Sequence, residues 1–171
     1  DETTDAEPPS VESRGELARA AAQRFILAPG GVESLLWTLR SHGQTRNQTL
    51  AMRACGAVYS LVVAAPDAEH LLRLQSVGVV GLLAEFLSLH SHVAAIVGTC
   101  TAAVRVMVCR TATANPQSGV SMSAERRRRA EFAEILRRLL QEPSPAVVAE
   151  PSLASTCSTA LSVLDGVAGY V

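Results

Sequence analysis

The chain has 171 residues, 48% of them apolar, 18% charged and 4% aromatic, and its net charge at pH 7 is −1. The apolar share suffices for the core of one folded domain and excludes disorder over most of the length. All 15 basic residues are arginine, which excludes chemistry that needs a Schiff-base or phosphate-binding lysine. The net charge provides no global attraction to nucleic acid or anionic membranes.

Residues 1–12 are acidic and nearly free of apolar side chains, which predicts a disordered leader and not a secretory signal peptide. Beyond it, apolar residues at helical spacing, terminating Pro and Gly residues and a capping Asp67 predict helices and no strands. The predicted helices cover residues 13–28, 32–41, 45–64, 68–75, 79–89, 92–110, 123–141 and 152–166. Small polar residues predict a loop at 111–123, and two prolines predict a turn at 142–145.

The longest uncharged run covers residues 86–104 and contains 19 residues. A membrane-spanning helix needs about 20 predominantly apolar residues. The sequence Ser-Leu-His-Ser-His interrupts this run and predicts a turn between two buried helices. We therefore expect no transmembrane segment.

Two segments in the first half of the chain repeat each other. Residues 31–39 and 78–86 share a Gly-Val pair, a Leu-Leu pair and an apolar residue four positions after the first Leu. Residues 135–139 match the Leu-Leu pair and the apolar residue that follows it. Such self-similarity at a fixed period is typical of repeat proteins.

A second element follows each copy at nearly constant spacing. Residues 54–61, 100–107 and 157–164 share small residues at their first and fourth positions, a branched residue at the fifth and a large apolar residue at the eighth. These positions lie on one face of a helix, and the small residues mark places where another helix approaches closely. Two elements that recur together three times indicate an internal repeat.

The order of elements resembles an armadillo repeat: a short helix ending at Gly-Val, a helix with paired leucines, and a longer helix with Ala-x-x-Ala-(Leu/Val)-x-x-Leu. Residues 16–64, 67–110 and 124–166 resemble three such repeats. The third lacks the glycine junction, so its first two helices are expected to be fused. The resemblance implies an all-α, right-handed armadillo-like superhelix over residues 13–171. It also implies a non-enzymatic protein-interaction or scaffolding domain that binds a partner protein or peptide on its concave surface.

In the armadillo family the third helices line the concave surface. Combined with the helical phase, the resemblance implies as partner-binding residues Arg53, Tyr59, Ser60, Thr101, Arg105, Ser158 and Ser162. Family members that capture extended basic peptides carry an Asn before the last large apolar residue of the third helix. Ser60, Val106 and Val163 occupy those positions here, so importin-like peptide capture is not expected.

Four consecutive arginines, Arg126, Arg127, Arg128 and Arg129, form the strongest local concentration of charge. They are candidate partner-binding residues, either for a protein or in a targeting or nucleic-acid-binding module. The alternative is a solvated helix face, because glutamates are interleaved at i,i+4 spacing. No aromatic residue lies within the run to stack on a base, so nucleic acid is not the expected partner.

The four cysteines lie in predicted helices rich in small residues and form no CxxC motif. This pattern predicts buried thiols in a reducing compartment, the cytoplasm or the nucleus. His42, His90 and His92 are predicted at exposed turns, and no third ligand lies close in sequence to complete a metal site. Trp37 is expected to be half-buried between repeats. The sequence contains no nucleophile elbow, phosphate loop or dinucleotide motif, so we expect no cofactor and no catalysis.

Three repeats are close to the lower limit for a stable solenoid. Missing polar end caps would then favour self-association or contact with the rest of a longer chain, and an intramolecular regulatory domain is a second alternative. A small enzyme with a cysteine nucleophile is a further hypothesis, which requires an activated thiol.

Overall fold

A computed structural model describes residues 11–43, 47–112 and 122–168, and almost all of them are helical. The helices in chain order are α1 (Val11–Leu27), α2 (Gly31–Gly43), α3 (Gln48–Ala64), α4 (Ala68–Ser76), α5 (Val79–Leu89), α6 (Ala94–Thr111), α7 (Met122–Gln141), α8 (Pro145–Ala149) and α9 (Pro151–Ala168). The predicted all-α class is confirmed, and the described residues contain no strand. Residues 1–10 of the predicted leader lie outside the described residues, whereas Val11 and Glu12 belong to α1. Residues 113–121 of the predicted loop also lie outside the described residues.

Most helix boundaries agree with the predictions to within three residues, and local capping explains the differences. Helix α3 begins later than predicted, because the Oδ1 atom of Asn47 accepts a hydrogen bond from the Leu50 amide at 3.1 Å. Asp67 caps α4 as predicted. Helix α7 begins at Met122, one residue before the predicted start. The short α8 was missed; Ser144 caps it, and a proline occupies its first position, where no backbone N–H is needed.

Glycine junctions separate the first and second helices of the first two repeats. Gly78, between α4 and α5, has a φ of +97°, and Gly30, between α1 and α2, has a φ of +76°. Both values lie in the left-handed region that favours glycine. The first junction is therefore centred on Gly30 and not on Gly31, the position aligned from the sequence. Helix α7 is uninterrupted, as the loss of the third glycine junction predicts.

Helices α3, α6 and α9 pack side by side. They run in the same direction, because earlier residues of each helix lie against earlier residues of the next. Between α3 and α6, the Sγ atoms of Cys55 and Cys100 lie 3.5 Å apart, and Arg110 near the end of α6 reaches the end of α3. Between α6 and α9, the Oγ1 atom of Thr101 lies 3.9 Å from the Sγ atom of Cys157. We call these helices the third-helix layer, because each is the third helix of a sequence repeat.

Two rows of residues on α6 hold this layer together. One row, which we call the backward row, lies on the side of α6 where Cys100 faces α3. By helical spacing it contains Ile96, Cys100, Ala103 and Met107. The forward row shares the face of Thr101 toward α9 and contains Val97, Thr101, Val104 and Val108. All eight side chains are 0% exposed. Helix α6 is therefore covered on two sides by its neighbours in the layer.

The remaining helices cover the inner side of this layer. Helix α5 packs between α2 and α7, and α4 contacts α1, α5 and α6. The second leucine of each repeated pair is buried: Leu36, Leu83 and Leu136 are at most 2% exposed. The buried apolar side chains of the described residues form one continuous core.

Arginine side chains join each repeat to helix ends of the repeat before it. The Nε atom of Arg73 in α4 donates to the carbonyl of Ile26 at the end of α1, at 3.0 Å. The Nη2 atom of Arg110 in α6 donates to the carbonyl of Ala65, which follows α3, at 2.7 Å. The last carbonyls of a helix have no partner within the helix and carry the negative end of its dipole, so a multiply donating cation stabilises them. We refer to these contacts as arginine caps.

Replacing Arg110 by Ala is expected to lower the free energy of unfolding by about 2 kcal/mol, because a charged donor is removed from the end of α3. Arg105→Ala changes an exposed arginine of the same helix. It is the matched control and is expected to change the free energy of unfolding by less than about 0.5 kcal/mol. Urea denaturation followed by circular dichroism measures both values. Equal losses in the two variants would contradict a capping role for Arg110.

By length and composition alone, one described helix, α6, could cross a membrane, and α4 together with α5 meets the same criterion as a pair bent by 63°. Half of the apolar segment Ala94–Thr111 is buried inside the fold. A helix in the middle of a packed layer has the same length, composition and burial. The predicted turn within residues 86–104 is confirmed, because α5 ends at Leu89 and α6 begins at Ala94. The expectation of no transmembrane segment stays a prediction.

Candidate interaction surface

The outer face of the third-helix layer carries an apolar stripe on α3. Met52, Tyr59 and Val63 are 40%, 36% and 50% exposed, and Gly56 lies between them on the same side of the helix. Exposed Arg53 flanks this stripe. We call Met52, Gly56, Tyr59 and Val63 the α3 stripe.

Along the same face, α6 presents a cation and α9 presents hydroxyl groups. Arg105 is exposed and has no ion-pair partner among the described residues. Thr159 and Ser162 of α9 are exposed on this face, and Ser158, at the position equivalent to Thr101, is exposed at the edge of the layer. The Oγ1 atom of Thr159 donates to the Ser155 carbonyl of its own helix at 2.9 Å. The face therefore changes from apolar at α3 to cationic at α6 and hydroxyl-rich at α9.

Six of the seven candidate residues from the third helices are exposed on this layer: Arg53, Tyr59, Ser60, Arg105, Ser158 and Ser162. The expectation for Thr101 is wrong, because its side chain is 0% exposed and faces Cys157 of α9. The repeat pattern identifies the face shared with α3, but it does not show that α6 is covered from a second side. A binding role for the six exposed residues stays a prediction.

The four consecutive arginines divide into an exposed pair and an anchored pair. Arg126 and Arg127 are exposed. The Nη1 atom of Arg128 donates at 3.3 Å to the Gln75 carbonyl near the end of α4, which also accepts from the Gly78 amide at 2.9 Å. The Nη2 atom of Arg129 donates to the Oε1 atom of the same glutamine at 2.9 Å. Half of the run therefore fastens α7 to α4.

Gln75 is the centre of a buried polar network between three helices. It is 1% exposed. Besides accepting from α7, its side chain donates from Nε2 to the Thr111 Oγ1 atom in α6 at 3.3 Å. That hydroxyl in turn donates to the Met107 carbonyl at 2.7 Å. Because buried polar groups are costly unless they are hydrogen-bonded, this network favours one arrangement of α4, α6 and α7.

Replacing Arg128 by Ala is expected to lower the free energy of unfolding by about 1 kcal/mol, because a hydrogen bond that joins α7 to the end of α4 is lost. The double variant Arg126→Ala/Arg127→Ala removes the same type of side chain from exposed positions of the same helix. It is expected to change stability by less than about 0.5 kcal/mol. Thermal and urea unfolding measure both; a double variant that is the less stable of the two would show that the exposed pair supports the fold.

Three expectations about side-chain exposure are wrong. Trp37 is 71% exposed on α2 and not half-buried between repeats. Cys109 is exposed, whereas the other three cysteines are buried as predicted. His90 is 4% exposed, whereas His92 is exposed as predicted. The side chain of His42 lies outside the described residues.

His90 is buried in the turn between α5 and α6 without a hydrogen-bond partner for its Nε2 atom among the described residues. Burial lowers the pKa of His90 below its ordinary value of 6.5, and the charge of His92 lowers it further. The two ring centroids are 6.2 Å apart. Both effects favour the neutral form of the His90 imidazole in the folded protein.

Because burial lowers the pKa of His90 in the folded state only, the unfolded state binds the proton more readily, and the free energy of unfolding falls as the pH falls below 6.5. In His90→Leu, the free energy of unfolding is expected to fall less steeply with decreasing pH. Urea titrations at successive pH values measure the slope. His92→Gln is the control and should keep most of it, since its ring is exposed. An unchanged slope in His90→Leu would contradict this assignment.

A groove of about 650 Å³, which no sequence pattern indicates, lies between α5 and α7. It is lined by Ala84, Glu85, Ser88, Leu89, Glu131, Glu134, Ile135 and Arg138. Ion pairs neutralise part of its charge: Glu134 lies 3.6 Å from both Arg137 and Arg138, and Glu85 lies 3.8 Å from Arg40. The Glu134–Arg138 pair was predicted from helical spacing, but the groove forms only where two helices distant in sequence meet.

The described residues contain no group of three or more His, Cys, Asp or Glu side chains that could hold a metal ion. A scan against protein-family models finds no match to the chain, and searches of the curated proteins and of the solved structures find none either. A fold family and a function are therefore inferred from the packing and surface chemistry of the described residues.

Proposed function

We propose that this chain is an armadillo-like interaction module that binds a partner protein or peptide on the outer face of its third-helix layer and has no catalytic role. Three parallel third helices with a shared exposed face support this proposal most directly. In an armadillo-like stack that face is concave, and extended concave surfaces are what solenoid proteins use for binding. The cytoplasm or nucleus remains the proposed location.

The chemistry of this face favours an acidic partner that also carries apolar side chains. Within the described ranges Arg105 has no ion-pair partner, and such a guanidinium favours a carboxylate, which it contacts through two parallel hydrogen bonds. Tyr59 provides a rigid ring and Met52 an adaptable thioether for an apolar side chain of the partner. Gly56 and Ala102 are small, which lets a main chain approach the helices between these anchors.

Two alternatives follow from the same surfaces. A nucleic-acid-binding or targeting module on α7 would use Arg126 and Arg127, since Arg128 and Arg129 are bonded to Gln75. Two exposed arginines neutralise few phosphates, and weak, salt-sensitive binding would result. In the other alternative, an acidic segment of the same chain occupies the outer face and makes the domain an intramolecular regulator.

Selection of peptides from a random display library on the immobilised protein tests the proposed function. The enriched peptides are expected to combine acidic with apolar residues, because the face offers Arg105 beside the α3 stripe. On the variant Arg105→Glu, the selected charge is expected to change from acidic to basic. Tyr59→Ala is expected to weaken binding of the selected peptides about tenfold, as is typical of an aromatic anchor.

The double variant Arg126→Ala/Arg127→Ala is the matched control, because it removes two exposed arginines that lie outside this face. Unchanged selection on the double variant is expected. If acidic peptides were still selected on Arg105→Glu but lost on the double variant, the outer face would be excluded and the arginines of α7 would be the binding site.

A further inference from the structure

Exposed apolar side chains are concentrated in the first repeat. Among the described residues, ten large apolar side chains are exposed, and eight of them lie between residues 17 and 63. They are Leu17, Phe25, Leu27, Trp37, Leu50, Met52, Tyr59 and Val63. Uncovered apolar surface of this extent marks a site of association.

The backward row of α3 is the part of this surface that has buried equivalents elsewhere in the molecule. The row contains Leu50, Ala54, Ala57 and Leu61, at the positions of the backward row of α6. Leu50 is 37% exposed, Ala57 is exposed and Leu61 is half-buried, whereas Ala54 is 4% exposed. The equivalent residues of α6 are all 0% exposed. The backward rows of α6 and α9 each form an interface with the preceding helix of the layer, whereas the equivalent row of α3 is partly exposed to solvent.

The opposite end of the layer does not complement this open row. The forward row of α9 contains Ala154, Ser158, Leu161 and Asp165. Ser158 is exposed, and the Oδ1 atom of Asp165 accepts a hydrogen bond from the Nη2 atom of Arg137 at 2.6 Å. Stacking two copies head to tail would press these polar groups against leucine and alanine side chains, which costs desolvation free energy.

The open row of α3 complements itself instead. Its order is large, small, small, large, and its spacing of four, three and four residues reads the same in both directions. Two antiparallel copies place Leu50 beside Leu61 of the partner subunit, with alanines from both subunits at the centre. Small central residues let the two helices approach closely, and a two-fold dimer uses the same patch on both subunits.

We propose that two copies of this chain associate through the backward rows of α3, with the two α3 helices antiparallel. The interface uses the row of α3 whose equivalent on α6 is buried in the third-helix layer, but it pairs that row with its own copy in an antiparallel arrangement. It lies at the edge of the layer, so the outer face with Arg105 stays open. Dimer formation and peptide binding are therefore tested by separate substitutions.

Sedimentation equilibrium over the micromolar concentration range tests the dimer. Leu50→Glu is expected to raise the dissociation constant about tenfold or more, because it brings a carboxylate into the apolar contact on both subunits. The variant is expected to fold, since residue 50 lies in the first turn of α3, where an acidic side chain is favoured. Val148→Glu, at an equally apolar and 66% exposed position in α8, is the control and should leave the dimer unchanged.

A protein that stays monomeric over this range would overturn the proposal. So would a dimer that Leu50→Glu leaves intact, or one that Val148→Glu weakens equally. Circular dichroism of each variant verifies that it is folded before its association is compared.

Disulfide cross-linking tests the antiparallel arrangement. In a Cys109→Ser background, which removes the exposed thiol, Ala57→Cys is expected to give a covalent dimer with oxidised glutathione as the oxidant. Ser60→Cys, exposed on the outer face of the same helix, is expected to stay monomeric in the denatured, non-reducing gel. Cross-linking at position 60 and not at position 57 would overturn this arrangement.

Discussion

The carbonyl groups at helix ends are the constraint on which the arrangement of this chain depends. A stack of short helices ends many times, and each end leaves carbonyls without a partner inside the helix. Here a guanidinium of the following repeat supplies the missing donor at the ends of α1 and α3. At the end of α4, Arg128 adds a second donor to the Gln75 carbonyl, which also accepts from the Gly78 amide. Each of these arginine hydrogen bonds is made to a carbonyl group at a helix end, and it also holds one repeat against the repeat before it.

This constraint changes the interpretation of the arginine run. As a sequence feature, four adjacent arginines suggest a ligand for an anion. In the folded chain, Arg128 and Arg129 both donate hydrogen bonds to Gln75. The buried side-chain amide of Gln75 in turn donates a hydrogen bond to the Thr111 hydroxyl. The guanidinium group suits this role because it donates in several directions while its aliphatic stem packs against apolar surface.

The helices and their order could be predicted from the sequence, because Pro, Gly and Asp act locally and because the repeat shows each pattern more than once. The exposure of individual residues could not be predicted equally well. Thr101 and Cys100 are adjacent in sequence and look equally suited to a surface or a core, yet they face α9 and α3. Trp37 is exposed because α2 is less completely covered than α5, a difference that arises only from tertiary packing. No local signal distinguishes the buried ring of His90 from the exposed ring of His92.

The arginine caps have a consequence for how this chain could be regulated. A guanidinium stays protonated at every physiological pH, so acidification cannot release the joints between repeats. Lysine acetylation, which removes a charge in many proteins, has no target at these joints. Arginine methylation would keep the charge but block hydrogen bonds, so a methyl group on Arg73 or Arg110 could loosen one joint while the charge balance of the chain stayed the same.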